Sequence, residues 1–288
     1  MSGVSNYAAP RSLDEAAEIL RTGNVTIFAG GTDVMPQMKT GKLTLQPTLM
    51  SIRRVPELRG ITQAGGMVRI GALTTITELL NSALIRERFT ALWQACDHFA
   101  SDQLRNAATI GGNICNASPA GDTLVPLLVL DAKVILTGKP NGTLATRTMP
   151  LKDFFVAPGR TRREANELLT AVEMPLPPAD FIGEFFKFGT RPALDISTIS
   201  IGLAAVRKGK ILRDVRVAFG AVAPTPIRSP QTEAALEGKS LDDAAIEAAL
   251  TAAARDIHPI SDVRASDWYR RELVNNILQR MLVHVRDR

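Results

Sequence analysis

Hydrophobic and polar positions alternate along the first part of the chain in a way that predicts short helices and strands. Ser12-Leu-Asp-Glu15 has the pattern of a capped helix start, and small and apolar residues follow it. The apolar run 25–28 predicts a buried strand, helical residues resume at 34–39, and 48–52 predicts a second strand. This helix–strand–helix–strand order predicts a small α/β subdomain over residues 1–57.

The next region, residues 58–176, predicts a second subdomain of short elements. Thr75-Ile-Thr-Glu78 is another helix cap, and apolar residues at i, i+3, i+4, i+7 spacing predict one helix over 86–99. Residues 100–122 are small and polar and show no periodicity. The other elements predicted here are strands at 67–70, 132–136, 143–148 and 168–174 and a helix at 124–130.

Pro175-Leu-Pro-Pro178 is the best candidate for a linker, because proline disrupts the interiors of both helices and sheets. Beyond it the pattern changes to strands followed by helices. The predicted elements are strands at 181–188, 197–206 and 213–223 and helices at 241–254 and 268–286. This order predicts a C-terminal domain, residues 180–288, with a three-stranded antiparallel sheet, so the fold class expected for the whole chain is α+β.

Composition and charge exclude several functions. The 288 residues include 34 basic and 29 acidic side chains, but the positive residues are scattered and only 5% of the chain is aromatic, which disfavours nucleic-acid binding. No apolar run reaches the roughly 18–20 residues that a membrane span needs. The polar N-terminus lacks the pattern of a secretory signal. We therefore expect a cytoplasmic protein that binds no nucleic acid and spans no membrane.

Cysteine and histidine content restricts the chemistry further. Cys96 and Cys115 are the only cysteines, too few to hold an iron–sulfur cluster on this chain. Three histidines lie far apart in the sequence, which disfavours a catalytic triad or a zinc site. Cys115 has apolar neighbours, which favour a packed side chain over a nucleophile. We predict no catalytic residue and no metal ligand.

Two loops combine a glycine pair with hydroxyl, carboxylate or carboxamide side chains: Ala29-Gly-Gly-Thr-Asp33 and Thr109-Ile-Gly-Gly-Asn113. Glycine lets the backbone approach a ligand closely, and successive N–H groups at a turn favour phosphate oxygens. Each loop alone could equally be a tight turn. Two such loops, with neither a G-x-G-x-x-G nor a G-x-x-x-x-G-K-[ST] motif elsewhere, favour a bound diphosphate.

The same residues resemble a known family. The run from Arg105 to Asp122 has the pattern R-N-x-A-T-I-G-G-N-I-x-x-A-S-P-x-x-D, which is similar to the FAD-contacting segment of xanthine dehydrogenases. Upstream, residues 28–33 resemble the family's other flavin loop, and residues 185–191 and 219–226 resemble its C-terminal domain. The resemblance covers nearly the whole chain and points to the separate medium subunit of a bacterial molybdenum hydroxylase.

The resemblance implies a fold and a cofactor. The fold is a PCMH-type (vanillyl-alcohol oxidase-like) FAD-binding domain of two α/β subdomains over residues 1–176, followed by the C-terminal domain of molybdenum hydroxylase flavoproteins. The implied FAD contacts are Ile27, Phe28, Ala29, Gly30, Gly31, Thr32, Asp33, Val34, Phe99, Thr109, Gly112, Asn113, Cys115, Asn116, Asp122, Leu169 and Lys187.

Single residues of this set have distinct implied roles. Phe99 would pack near the isoalloxazine ring, and Leu169 would contact the adenine side. Asp122 would accept a hydrogen bond from a hydroxyl of the cofactor, and Lys187 would reach the flavin from the second domain. Arg191 and Asp195 (both on one loop) either border the ring or form an ion pair with each other, and both alternatives remain open.

The implied function is electron transfer. Electrons from a molybdopterin centre on a large partner subunit would pass through two [2Fe-2S] clusters on a small partner subunit to FAD on this chain, and then to NAD⁺ or another acceptor. The expected assembly is a dimer of such heterotrimers. Two alternatives remain at this point: a free-standing PCMH-type FAD oxidase that uses oxygen, and a nucleotide- or RNA-binding protein without redox chemistry.

Overall fold

The computed structural model describes residues 3–191 and 194–288 and begins with a small parallel sheet. Its strands lie in the order β1-β3-β2. Ala16 and Leu20 of the helix α1 are buried in one cluster with Met50 of β3, and Ser12 caps α1 by accepting from the Glu15 N–H. The bounds in this part are β1 Asn6–Ala8, α1 Leu13–Arg21, β2 Val25–Phe28, α2 Val34–Lys39 and β3 Thr48–Ser51.

A five-stranded antiparallel sheet follows, in the order β4-β5-β10-β6-β7, with the last strand of the segment, β10, at its centre. A two-stranded hairpin, β8–β9, lies beside it. The strands are β4 Ile61–Ala64, β5 Met67–Gly71, β6 Lys133–Gly138, β7 Ala145–Pro150, β8 Phe155–Ala157, β9 Arg160–Thr161 and β10 Glu167–Pro175. The helices are α3 Ile76–Leu80, α4 Ala83–Arg88, α5 Thr90–Asp97, α6 Asp102–Arg105, α7 Ile110–Asn116 and α8 Leu124–Val129.

The C-terminal part is a four-stranded antiparallel sheet, β11-β12-β13-β14, with one face covered by helices of its own segment. The other face packs on α5 and α8, and Gly202 lets α8 pack closely: a Cβ there would lie 2.9 Å from Val125 Cγ1. The bounds are β11 Phe181–Phe188, β12 Ile199–Lys208, β13 Ile211–Gly220, β14 Ile227–Arg228, α9 Pro230–Leu236, α10 Asp243–Asp256 and α11 Asp267–Asp287.

Two sequence expectations about this fold are wrong in detail. The C-terminal sheet has four strands rather than three. The fourth strand, β14, has only two residues, so the sequence shows no alternation there that would predict it. The single helix expected over 86–99 is two helices, α4 and α5, with a break at Phe89, whose backbone has φ −128° and ψ 53°. The side chain of Phe89 is fully buried, so core packing at the break overrides the helical spacing. The α+β fold class is confirmed.

Candidate functional site

A large cleft lies between the first parallel sheet and the five-stranded sheet, with about 1750 Å³ of empty space including the part open to solvent. One wall is the loop after β2, a second is the start and end of α7, and a third is the hairpin strand β9 with β10. The predicted FAD contacts that line it are Ile27, Ala29, Gly30, Gly31, Thr32, Asp33, Val34, Phe99, Thr109, Gly112, Asn113, Cys115, Asn116 and Leu169. The fold thus brings both glycine loops to one site.

The first glycine loop has a row of free donors. Among the described residues, no backbone or side-chain acceptor takes a hydrogen bond from the N–H groups of residues 30–34. Gly31 has φ +76°, a conformation that other residues adopt only with strain, and Phe28 packs its ring beneath it rather than facing the cleft. Successive unpaired N–H groups facing a cleft form a concave donor cluster suited to phosphate oxygens.

The backbone N–H groups of the second glycine loop are not free for a ligand, contrary to the expectation from the sequence. Its N–H groups are already used: Ile110 and Gly111 donate to the Thr74 and Ala72 carbonyls, and Gly112 donates to Thr109 Oγ1 at 3.1 Å. Glycine is needed at 111 for packing, because a Cβ there would lie 2.6 Å from Ala72 Cβ. This wall therefore presents side chains, not backbone donors, to the cleft.

Three side chains of the second wall are oriented to donate. Asn113 Oδ1 accepts from Thr123 Oγ1 at 2.7 Å, and Asn116 Oδ1 accepts from Gln37 Nε2 at 2.8 Å. Each bond uses the carbonyl end of the carboxamide and leaves the amino end without a partner among the described residues. The Thr109 hydroxyl accepts from Gly112 and keeps its own proton for donation.

Positive charge comes from a place that sequence reasoning missed. Arg160 and Arg163, on and after β9, line the cleft opposite the first loop. The Arg163 guanidinium donates to the carbonyls of Glu164 and Glu167, at 2.8 and 2.7 Å, whereas the Arg160 side chain has no hydrogen bond or ion pair within the described part of the chain. The two-residue strand β9 gives no periodic signal, so the only sequence signal for this wall is the short basic run Arg160-Thr-Arg162-Arg163.

Asp122 and Lys187 do not line the cleft but bind each other. Lys187 Nζ donates to Asp122 Oδ2 at 2.7 Å and to the His98 carbonyl at 3.2 Å, and the Ser197 hydroxyl donates to Asp122 Oδ1 at 2.9 Å. Burial raises the pKa of Asp122, and Lys187 with Ser197 acts against this rise. Since His98 precedes Phe99, the pair lies next to the cleft where the C-terminal sheet meets it. The predicted contacts of both residues with FAD stay predictions.

Both thiols are neutral at physiological pH. Burial raises the pKa of Cys115, at the cleft, to about 11, and burial together with the Asp122 charge raises that of Cys96 to about 12. A protonated thiol is a poor nucleophile. Arg191 and Asp195 form no ion pair with each other: the Arg191 guanidinium donates to the Leu194 carbonyl, and Asp195 Oδ2 accepts from the Thr190 hydroxyl at 2.8 Å.

Residues 3–191 and 194–288 contain neither a membrane-spanning helix nor a cluster of metal-ligating side chains. No described helix is long and apolar enough to cross a bilayer. No three or more His, Cys, Asp or Glu side chains in these ranges are grouped to hold a metal ion.

Comparison with known proteins gives matches along almost the entire chain. A family model described as "FAD binding domain in molybdopterin dehydrogenase" matches residues 3–177, and one described as "CO dehydrogenase flavoprotein C-terminal domain" matches residues 184–285. The xanthine dehydrogenase FAD-binding subunit of Escherichia coli O157:H7 is 33% identical over 285 residues, covering 98% of this chain and 96% of the relative. The carbon monoxide dehydrogenase medium chain of Hydrogenophaga pseudoflava is 31% identical, covering 96% of this chain and 95% of the relative.

Solved structures agree with these sequence matches. Carbon monoxide dehydrogenase from Hydrogenophaga pseudoflava, in a form lacking the Mo-pyranopterin moiety of its cofactor, has a chain that superposes with a TM-score of 0.91 at 31% identity, covering 97% of this chain and 96% of that one. Quinoline 2-oxidoreductase from Pseudomonas putida 86 superposes with a TM-score of 0.90 at 25% identity, covering 98% and 96%.

Proposed function

Because the chain belongs to the family of FAD-binding medium subunits of xanthine dehydrogenase- and CO dehydrogenase-type molybdenum hydroxylases, we propose that it relays electrons through its FAD. The electrons would come from [2Fe-2S] clusters on a small partner subunit, fed by a molybdopterin centre on a large one. NAD⁺ is the proposed acceptor, and a dimer of heterotrimers in the cytoplasm is the proposed assembly. The proposed working units are residues 1–176, which bind FAD, and residues 180–288.

The observation that supports this proposal is the row of free N–H groups at residues 30–34, facing a cleft that also holds Arg160 and Arg163. A dinucleotide diphosphate carries two negative charges and several acceptor oxygens, and unpaired backbone donors with nearby guanidinium groups match both. Residues 30–34 are half-buried or exposed at the cleft, so a ligand that enters it can reach this row of donors. The donor set therefore fits the diphosphate of FAD.

The other predicted contacts fall into two groups, one for the sugar and phosphate groups of FAD and one for its flavin ring. Asn113, Asn116 and Thr109 would donate to oxygens of the sugar or phosphate groups. Phe99 would pack on the flavin ring, close to the Asp122–Lys187 pair, and this side faces the junction with the C-terminal sheet. Bound FAD supplies the exchange between single electrons and a hydride, while the chain binds it, orients it and excludes water. No proton-transferring residue of this chain is required for that role.

A reconstitution experiment tests the relay. The purified chain loaded with FAD should oxidise NADH with an artificial dye as electron acceptor, and it should hydroxylate no heterocycle until a large molybdenum subunit and a small iron–sulfur subunit are added. Hydroxylation by the isolated chain would contradict the partner assignment. Oxygen consumption with a substrate and no partner would support the alternative of a free-standing oxidase instead.

A further inference from the structure

The bend that follows β13 contains a strained residue. It belongs to the segment 219–226, which resembles the C-terminal domain of the family and does not line the cleft. Ala221 has φ +61°, in the left-handed region that a residue with a Cβ adopts only at a cost. Its N–H donates to the Pro119 carbonyl at 2.8 Å. Such strain persists only where surrounding contacts hold it, so the contacts of Ala221 indicate what the bend does.

The carbonyl of Ala221 is held by a buried arginine. Arg270, in α11, is only 3% exposed, and its Nη1 group donates to the Ala221 carbonyl. Its Nη2 group donates to Asp262 Oδ1 at 2.7 Å, and its Nε–H is buried without a partner among the described residues. A buried charge with an unsatisfied N–H is costly. The strained alanine and the costly arginine therefore meet at one residue, Ala221.

The hydrogen bond from Ala221 reaches the segment that carries Asp122. Pro119 lies between α7, which forms the second wall of the cleft, and α8. Within this segment the Gly121 N–H donates to the Ser118 carbonyl at 3.0 Å, which closes a tight turn. Because the turn is closed, the position of Pro119 also sets the position of Asp122, three residues later.

We propose that Arg270 is a positioning residue for the flavin. Through Ala221 and Pro119 it fixes the backbone that carries Asp122. The Asp122–Lys187 ion pair is thereby held at the flavin end of the cleft. This inference rests on the proposed function. Arg270, Ala221 and Pro119 do not line the cleft themselves, so the effect of Arg270 on the flavin passes through the chain.

Arg270→Lys tests this role in the full chain loaded with FAD. Lysine keeps the positive charge, but its single ammonium group does not reproduce the fork that holds Ala221 and Asp262 together. The variant should change the visible circular dichroism of the bound flavin. It should lower kcat for NADH oxidation with an artificial dye about tenfold, with KM for NADH within about twofold, because the ring is misplaced but still bound. The Kd for FAD should stay within about threefold, since the donors at residues 30–34 are unchanged.

Ala221→Gly is the matched control. Glycine adopts a positive φ without strain and keeps both backbone hydrogen bonds, so the circular dichroism, kcat and KM should match those of wild type. A flavin signal and kcat in Arg270→Lys identical to wild type would overturn the inference, as would equal changes in Ala221→Gly. A wild-type chain that bound no FAD would instead contradict the proposed function.

Hydrogen exchange on the unmodified chain provides a test that needs no variant. Coupling between two sites is reciprocal, so FAD binding should slow amide exchange in residues 219–223 although they do not line the cleft. The added protection should exceed that of residues 243–250 in α10, which do not line the cleft either. Equal protection of the two segments would indicate only a general stabilisation of the fold and would count against a positioning role for Arg270.

Discussion

The ammonium group of Lys187 lies 2.7 Å from a carboxylate oxygen of Asp122, and this ion pair joins the C-terminal sheet to the segment that leads into α8. The side chains are 7% and 12% exposed, so each charge depends on the other. Asp131, just after α8, adds a second link by accepting from Arg228 at 2.8 Å and Arg216 at 3.2 Å. These ion pairs hold the C-terminal sheet beside the cleft.

Removal of one partner of this pair should destabilise the protein strongly. Lys187→Met leaves the Asp122 carboxylate buried and unpaired, which typically costs about 3–5 kcal/mol. The double variant Asp122→Asn/Lys187→Met leaves no buried charge and should recover most of that loss. Urea unfolding of the four proteins of this cycle measures the coupling. Equal stability of the single and double variants would contradict a buried pair.

The loss in Lys187→Met should also depend on pH. Burial raises the pKa of Asp122, and removal of the opposing ammonium raises it further. A folded-state pKa above the unfolded value means that the folded protein favours the protonated acid, so the penalty is present near neutral pH and shrinks as the pH falls. The stability difference from wild type should therefore decrease from pH 7 toward about pH 4. A difference that grows on acidification would contradict this reasoning.

A side chain at Gly30 should be destabilising, because a Cβ there would overlap the backbone carbonyl of Ala107. The contact joins the first glycine loop to the segment before the second. Gly30→Ala should lower the free energy of unfolding by about 1–3 kcal/mol, since the backbone must shift, and should weaken FAD binding as well. Gly3→Ala, where a Cβ meets nothing within 4 Å, is the control and should match wild type.

The loss of FAD binding caused by a substitution at Gly112 should grow with the size of the new side chain. A Cβ there would lie 2.9 Å from Thr109 Oγ1, a side-chain atom, so Gly112→Ala should fold with modest loss of FAD affinity. The branched side chain in Gly112→Val occupies ligand space and should give a folded, colourless protein. Absorbance near 450 nm per mole of folded chain measures both, and stoichiometric flavin in Gly112→Val would refute the role of this wall.

Arg160 should contribute to FAD affinity through charge. Arg160→Gln should weaken FAD binding by about tenfold at low salt and by less at high salt, because the loss is electrostatic. Arg162→Gln is the matched control: Arg162 donates to the Asp153 carbonyl at 2.8 Å and does not line the cleft, so its removal should leave the FAD Kd unchanged. Equal effects of the two variants would show that only net charge matters.

Cys115 should react slowly with thiol reagents although it lines the cleft. With a pKa of about 11, about one thiol in a thousand is ionised at pH 8, against about one in four for a free cysteine. Reaction with DTNB should be about a hundredfold slower than for a free thiol and should accelerate as the pH rises. Cys115→Ser should remove this phase, since Cys96 is fully buried. Fast modification at pH 8 would contradict the raised pKa of Cys115.

The location of the site was predictable from the sequence, but which of the two loops keeps free backbone N–H groups was not. Both glycine pairs read as donor loops, yet only residues 30–34 keep free N–H groups. The N–H groups of Ile110 and Gly111 bond to Thr74 and Ala72, partners distant in sequence, so tertiary pairing alone decides which donors remain. Local glycine content does not carry that information.

Other differences have the same origin. The break at Phe89 follows from burial of its ring, and the hairpin that carries Arg160 is too short for a periodic pattern. Strand β2 lies at the edge of the first sheet because the strands are ordered β1-β3-β2, and this order depends on pairings between strands that are distant in the sequence. Helices and strands with clear caps or apolar runs, such as α1 and β11, were predictable because their signals are local.

The most direct test of the cofactor site is an equilibrium titration of the purified, flavin-free chain with FAD, with ADP and riboflavin as competitors. If residues 30–34 bind the diphosphate, one FAD should bind per chain, and ADP should compete far better than riboflavin, which has no phosphate. Absence of saturable FAD binding, or displacement by riboflavin as effective as that by ADP, would contradict a cleft built around the diphosphate.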